Sequence, residues 1–168
     1  MKKLVLIMVF FLLILAVTQN SYGEDIDWDR LVSAVIQVES GGNPTAVSKA
    51  GAIGLMGITP VVLFEFFENT LPWQRFCGQR EEVDGSVSNL YFENNIQDLF
   101  YPEVNIIVGT WYLHRLHDHY GCKTIEQICA AYNGGPTRLK KCGYDINKMP
   151  RESRAYVKKV VSIYNKGE

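Results

Sequence analysis

A single carboxyl group, that of Glu39, falls at the C-terminal end of a helical pattern and on its apolar face. The pattern is set by four residues at helical spacing, Trp28, Leu31, Val32 and Val35. At about 100° per residue, the next turn places Glu39 on the same side, just before two glycines that end the helix. Burial and the negative end of the helix dipole both disfavour a charged carboxylate, so we expect a raised pKa for Glu39. A carboxyl that keeps its proton near neutral pH is suited to general acid catalysis.

Two other arrangements of polar residues are open at this point. Glu39 can instead turn at the helix end and point into water, which is the usual position of an isolated glutamate. His114 and His117 lie three residues apart on a later helix, as a pair of metal ligands would. No third ligand accompanies them, so a solvated helix face is the favoured interpretation, and we expect no metal and no cofactor.

The elements that must position Glu39 are mostly helical. Asp25 or Asp27 is expected to cap the first helix, and the glycine-rich segment that follows, residues 51–60, indicates a tight loop. Later helices are predicted to begin at four places, Pro60, Pro102, Ile125 and Pro150. The chain is therefore predicted to be an α-rich α+β protein. It would form a single, mostly helical domain with at most a small β element near residues 51–58.

The stretch from Pro72 to Asn95 has a weak pattern, and we interpret it as an insertion with a short helical piece tied down by Cys77. The four cysteines of the chain are Cys77, Cys122, Cys129 and Cys142. An even number in an exported chain favours disulfides, with three pairings open. The alternative is that one or two are buried free thiols, Cys129 first among them because it continues an apolar helix face.

The first 23 of the 168 residues have the pattern of an export signal. Two lysines precede an apolar run from Leu4 to Val17, which is short for a membrane span. We expect a signal peptide at 1–23, cleaved after Gly23, and one domain at 24–168; the alternative is an uncleaved anchor. The net charge of −1 and the lack of a basic stripe exclude nucleic acid as an expected partner.

Four short motifs then occur in a specific order. They are Glu39–Pro44 (E-S-G-G-N-P), Gly54–Met56 (G-L-M), Ala131–Pro136 (A-Y-N-G-G-P) and Tyr156–Val157. In this order they resemble the signature of the soluble-type lytic transglycosylases, and the size of the chain resembles that of small secretion-associated members. A middle helix with Asn105, Gly109 and Tyr112 is also similar. The resemblance covers about Trp28 to Tyr164, apart from residues 70–98.

The resemblance implies a lysozyme-like fold and cleavage of the β-1,4 bond between N-acetylmuramic acid and N-acetylglucosamine in peptidoglycan. It implies that Glu39 is the only catalytic carboxyl, and that the acid protonates the leaving oxygen before the sugar's own 6-hydroxyl closes a 1,6-anhydro ring. The residues implied to hold or line the sugar groove are Ser40, Leu55, Met56, Tyr132, Asn133 and Tyr156. The expected setting is a periplasmic monomer acting on glycan strands, with components of a secretion or pilus apparatus as further partners.

One departure from the family pattern keeps two alternatives open. Residue 57 is Gly, where the family usually has Gln after G-L-M. A non-catalytic glycan-binding or assembly module would fit this change. A hydrolytic muramidase of goose-lysozyme type would need a second carboxylate, for which the candidates are Asp84, Glu93, Asp98 and Glu103.

Overall fold

The computed structural model describes residues 26–70, 76–81, 87–91 and 95–167. Within these ranges the chain forms six α-helices, α1 Trp28–Glu39, α2 Pro60–Asn69, α3 Pro102–Asp118, α4 Ile125–Gly134, α5 Pro136–Lys141 and α6 Arg151–Tyr164. Short 3₁₀-helices span Ile96–Phe100, Ile146–Lys148 and Asn165–Gly167. Two strands, β1 Phe76–Glu81 and β2 Val87–Tyr91, pair antiparallel. The prediction of a mostly helical chain is therefore confirmed.

The first helix begins where its capping signal indicates. The backbone N–H of Arg30 donates to the side chain of Asp27 over 3.0 Å, which satisfies one of the free N–H groups of the first turn. Three residues of the apolar face, Leu31, Ala34 and Val35, are buried, and α1 packs against α6 and α3. Glu39 is the last residue of α1, as its spacing predicts.

Helix α3 lies at the centre of the core and contacts α1, α2 and α4. Its fully buried apolar side chains include those of Val104, Val108, Leu113 and Leu116. Among the described residues, no helix is long and apolar enough to cross a membrane. The predicted signal peptide, residues 1–23, lies outside the described part of the chain.

The glycine-rich segment forms the small β element that the sequence predicts. Ile53 makes isolated bridges to Val47 and to Ile58, and residues 54–57 turn between the two halves of the second bridge. The side chain of Asn105, on α3, is fully buried and holds this segment. Its Nδ2 donates to the carbonyls of Ile53 and Leu99, and its Oδ1 accepts from the N–H of Met56, each over 2.8 Å.

The prediction of a short helical piece between Pro72 and Asn95 is wrong. This stretch contains the β1–β2 hairpin, in which a register shift between Phe76 and Gly78 leaves Cys77 at a bulge. The pair Asp84-Gly85 stands between the strands and is a known hairpin signal, which the weak alternation of the flanking residues obscures. A 3₁₀-helix follows, capped by Asn95.

The predicted disulfides are not confirmed, because Cys122, Cys129 and Cys142 carry free thiols in the structure. Cys122 and Cys129 are buried, and burial raises their thiol pKa values to about 11 and about 12, so both stay protonated. The alternative of buried free thiols, with Cys129 among them, is what the structure shows. The side chain of Cys77 lies outside the described residues.

Substitution of Asn105 tests whether its hydrogen bonds hold the glycine-rich turn in place. Asn105→Ala leaves the Met56 N–H and the Leu99 carbonyl without a partner, at about 1–3 kcal/mol each, while the Ile53 carbonyl keeps its bond from the N–H of Ile58. We therefore expect the free energy of unfolding, measured with urea, to fall by about 2 kcal/mol or more. The exposed Asn147 provides the control, and Asn147→Ala should change it by less than about 0.5 kcal/mol. Equal effects of the two substitutions would contradict this role.

Candidate active site

Glu39 is the C-terminal residue of α1, and its carboxyl lies beside the glycine-rich turn. Ser40 caps the helix, with its backbone N–H donating to the carbonyl of Ile36 over 3.1 Å. Gly41 and Gly42 then take φ values of +62° and +85°, a left-handed conformation that glycine adopts without a steric penalty. The chain therefore turns away directly after the carboxyl that it presents.

The Ser40 hydroxyl joins the end of α1 to the turn. Its Oγ donates to the carbonyl of Leu55 over 2.8 Å and contacts the carbonyl of Ile36 at 3.2 Å. The same oxygen accepts from the N–H of Gly42 over 3.1 Å. Leu55 itself is half-buried and packs on the core. Ser40 thus fixes the distance between Glu39 and residues 54–57.

Met56 occupies a different place from the one that the groove interpretation suggests. Its side chain has no exposed surface and packs in the core, where a Cβ on Gly109 would collide with its sulfur. A buried side chain does not reach a bound glycan, so this structure corrects the expectation that the Met56 side chain lines the groove. Its backbone carbonyl accepts a hydrogen bond from the Tyr132 hydroxyl over 2.8 Å, which ties α4 to the turn.

The Glu39 carboxyl is half-buried against the turn and against α6. A Cβ built on Gly57 would lie only 2.6 Å from Glu39 Oε2, so the carboxyl fills the space beside this glycine. Burial raises the pKa of Glu39, and the Tyr156 hydroxyl opposes part of that rise. The pKa of Glu39 is thus shifted in the direction that the sequence predicts, toward retention of the proton.

Among the residues that the structure describes, Tyr156 and Tyr132 are the titratable groups that interact with this carboxyl. The Tyr156 hydroxyl is buried beside Glu39, although it lies outside the geometry of a regular hydrogen bond and has no such partner among the described residues. Burial raises the pKa values of both tyrosines well above their usual range, and the charge of Glu39 adds to the rise. Both hydroxyls therefore keep their protons at neutral pH and can donate hydrogen bonds.

A cavity of about 460 Å³ lies next to this cluster. Its lining includes Gly57, Val61, Val62, Glu65, Tyr132 and Asn133. Gly57 connects the cavity to Glu39, because the carboxyl packs against this residue. Asn133 is exposed at the end of α4, so its amide is available to a bound molecule. A larger cavity of about 540 Å³, with Arg151 and Arg154 in its lining, includes none of the predicted site residues.

Glu65 is a cavity residue that the sequence analysis missed. Its Oε1 accepts from Nε of Arg115 over 2.6 Å and from the Tyr120 hydroxyl over 2.7 Å. An ion pair between residues fifty positions apart leaves no signal in local spacing, so only the packing of α2 on α3 reveals it.

The carboxylates named from the sequence as candidates for a second acid lie elsewhere. Asp98 is buried, and its Oδ2 accepts from the N–H of Asn95, so it caps a 3₁₀-helix. Glu103 is exposed in the first turn of α3. Asp84 and Glu93 lie outside the described residues. These placements leave Glu65 as the carboxylate in the lining of the described cavity, while Glu39 lies behind Gly57.

The two histidines considered as metal ligands pack on an aromatic ring instead. The ring of His114 lies 3.9 Å from that of Trp28, and the ring of His117 meets the same tryptophan edge-on at 5.8 Å. His117 Nδ1 is 2.6 Å from Oδ1 of Asp118. Both histidines lie on α3, where they cover Trp28 of α1.

Comparison with known proteins matches the geometry to a family. The family model described as the transglycosylase SLT domain matches residues 17–70 and 80–149. The membrane-bound lytic murein transglycosylase E of Buchnera aphidicola is 32% identical over 133 residues, which cover 76% of this chain and 51% of that protein. The endo-type membrane-bound lytic murein transglycosylase A of Cronobacter sakazakii is 39% identical over 97 residues, which are 58% of this chain and 39% of that one.

Solved structures show the same fold. The 70 kDa soluble lytic transglycosylase of Escherichia coli superposes with a TM-score of 0.60 at 26% identity, covering 87% of this chain and 22% of that one. An inactive Glu-to-Gln mutant of the lytic transglycosylase Slt of Pseudomonas aeruginosa gives 0.59 at 25% identity, covering 80% of this chain and 20% of that one. The lysozyme-like fold expected from the motifs is thereby confirmed. This chain belongs to the transglycosylase SLT domain family.

Proposed function

We propose that this protein is a peptidoglycan lytic transglycosylase in which Glu39 is the general acid. The observation that carries the proposal is the half-buried Glu39 carboxyl with a raised pKa, packed against a glycine that lines a cavity of about 460 Å³. Relatives named lytic murein transglycosylases support the substrate, although this chain spans about half or less of their length. The inactive mutant from Pseudomonas supports an essential glutamate, since it exchanges Glu for Gln.

The reaction needs one carboxyl group that first gives and then takes a proton. Protonated Glu39 donates its proton to the glycosidic oxygen between N-acetylmuramic acid and N-acetylglucosamine. The bond from this oxygen to C1 of the muramic sugar breaks, and N-acetylglucosamine leaves with the proton on its oxygen. Positive charge develops at the muramic C1, where the neighbouring N-acetyl group of the substrate can stabilise it. Glu39, now ionised, accepts the proton of the sugar's 6-hydroxyl, whose oxygen bonds to C1. The product carries a 1,6-anhydro ring, and no water is consumed.

The surrounding residues have separate roles in this scheme. Tyr156 faces the Glu39 carboxyl, and its hydroxyl stabilises the ionised form. Asn133 is exposed in the cavity lining and offers its amide to an N-acetyl group. Ser40 and Tyr132 act through the backbone, because they hold the carbonyls of Leu55 and Met56. Leu55 is a half-buried residue of the turn, and its carbonyl accepts from Ser40.

A hydrolytic muramidase is the second candidate, and the position of Glu65 in the cavity lining is the observation that favours it. Hydrolysis with inversion requires a base that activates water. Oε1 of Glu65 already accepts from Nε of Arg115 and from the Tyr120 hydroxyl, so the protein itself occupies this oxygen and holds the side chain in place. We therefore place Glu65 in substrate binding and not in proton transfer.

The location and partners follow from the same proposal. The apolar run before Gly23 supports export, and relatives named membrane-bound support a position in the cell envelope. We propose that the mature protein acts as a monomer in the periplasm. The similarity in size to small secretion-associated members supports a further role, in opening the wall for a secretion or pilus apparatus.

Replacing the acid tests the assignment directly. Glu39→Gln keeps the shape of the side chain and removes the transferable proton, so we expect clearing of purified peptidoglycan to slow at least about 10³-fold. The exposed Glu152 of α6 gives the matched control, and Glu152→Gln should retain full activity. Wall clearing by Glu39→Gln at the control rate would exclude Glu39 as the acid.

The chemical form of the product separates the two candidate reactions. Mass spectrometry of digested wall should find 1,6-anhydro-muramic ends, because the 6-hydroxyl and not water attacks C1. Glu65→Gln should slow digestion while leaving this product unchanged. Reducing ends from the wild type, lost in Glu65→Gln, would establish the hydrolytic reaction instead.

The pH profile tests the contact between Tyr156 and Glu39. A general acid works only while protonated, so kcat/KM should fall as pH rises through the Glu39 pKa. The Tyr156 hydroxyl favours the charged carboxylate, so Tyr156→Phe should raise that pKa further and move the alkaline fall to higher pH. Tyr164, on the same helix, has its hydroxyl bonded to the N–H of Asp27. Tyr164→Phe should leave the profile in place; a shift to lower pH in Tyr156→Phe would contradict the contact.

A further inference from the structure

The glycine at position 57 stands in contact with the Glu39 carboxyl. An ideal Cβ added to Gly57 would meet Oε2 of Glu39 at 2.6 Å, its Cδ at 3.0 Å and its Cβ at 3.4 Å. Gly57 also has a φ of +59°, a conformation that L residues adopt at a cost. Two separate penalties, one steric and one conformational, therefore oppose any side chain here.

The turn cannot readily move aside to relieve such a clash. The turn is held from three sides, by Ser40 on the Leu55 carbonyl, Tyr132 on the Met56 carbonyl and Asn105 on the Met56 N–H. The Gly57 N–H itself is used within the turn, where it donates to the carbonyl of Gly54 over 3.2 Å. The carboxyl of Glu39, at the end of a side chain with three rotatable bonds, is the softer partner.

We propose that Gly57 is a positioning residue for Glu39, because the missing Cβ creates the space in which the carboxyl is held. The proposal rests on the function assigned to Glu39 above, but the contact itself does not. Gly57 donates no hydrogen bond to the carboxyl, since its N–H is used in the turn. It excludes water from one side of Glu39 and adds no polar group that would favour ionisation.

A side chain at position 57 should thus push the Glu39 carboxyl out of its half-buried place. The groups that face it there are Tyr156 from α6 and Tyr132 from α4. A displaced carboxyl gains water, which lowers its pKa toward the usual range, so the alkaline fall of kcat/KM should move to lower pH. The KM should change less than kcat, because the lining of the cavity by Asn133 and Glu65 is retained.

The chain provides a matched control at Gly51. Its φ is +78°, and a Cβ added there meets nothing within 4 Å. Gly51→Ala and Gly57→Ala therefore share the conformational penalty, and only the second adds the clash with Glu39. Titration of the Glu39 carboxyl by NMR in protein carrying ¹³C-labelled glutamate should show a lower pKa in Gly57→Ala and in Gly57→Gln, and the wild-type value in Gly51→Ala. Equal values in all four proteins would overturn the proposal.

A double-mutant cycle keeps the test decisive if Gly57→Ala folds poorly. Glu39→Ala removes Oε2 and Cδ, the two atoms closer than 3.4 Å, so Gly57→Ala should lower the unfolding midpoint much less in the Glu39→Ala background than in the wild type. The same loss in both backgrounds would mean that strain at φ alone is responsible and would overturn the inference. Neither measurement depends on activity. A wild type without transglycosylase activity would remove the proposed function and leave the positioning role intact.

Discussion

The rigidity of the glycine-rich turn is the constraint on which the site depends. A half-buried acid is useful only if the surface against it does not yield, and here that surface is backbone. Three side chains from three helices, or their ends, hold residues 54–57 through hydrogen bonds of 2.8 Å, and the one from α3, Asn105, is fully buried. Because a buried polar group without its partner costs more than the bond contributes, these contacts act together and fix the turn.

The raised pKa of Glu39 follows from the lack of free N–H donors in the part of the turn that faces it. A helix N-terminus or a cluster of free N–H groups would favour the charged carboxylate. The end of α1 is instead the negative end of its dipole, and the N–H groups of Met56 and Gly57 are used by Asn105 and by Gly54. Burial therefore has the largest effect on the pKa of Glu39 and raises it, while the Tyr156 hydroxyl lowers it by a smaller amount. This balance suits a group that must release a proton and then recover one within a single reaction.

The sequence predicts those features that depend on local spacing. Helical periodicity places Glu39 on the buried side of α1, and capping residues locate the helix ends to within a few positions. Other features depend on contacts between residues 15 to 76 positions apart, which local spacing does not show. They are the three hydrogen bonds that hold the turn, the Glu65–Arg115 pair and the packing of Met56 over Gly109. Sequence does not predict the β1–β2 hairpin for another reason. Apolar and polar residues alternate poorly along the two strands, so the turn signal at Asp84-Gly85 lacks the flanking pattern that usually identifies a hairpin.

The burial of Met56 changes what the G-L-M motif means physically. Met56 has no exposed surface, and its side chain packs on the backbone of Gly109, which attaches the turn to α3. The carbonyls of Leu55 and Met56 accept hydrogen bonds from Ser40 and Tyr132. A motif that resembles a substrate-binding sequence thus acts through packing and backbone geometry. In the proposed function, the surface offered to a glycan comes from the C-terminal end of α4, where Asn133 is exposed, and from the α2 face that carries Glu65. The proposed function therefore assigns binding of the sugar and placement of the acid to different elements, which can vary independently around one fixed carboxyl.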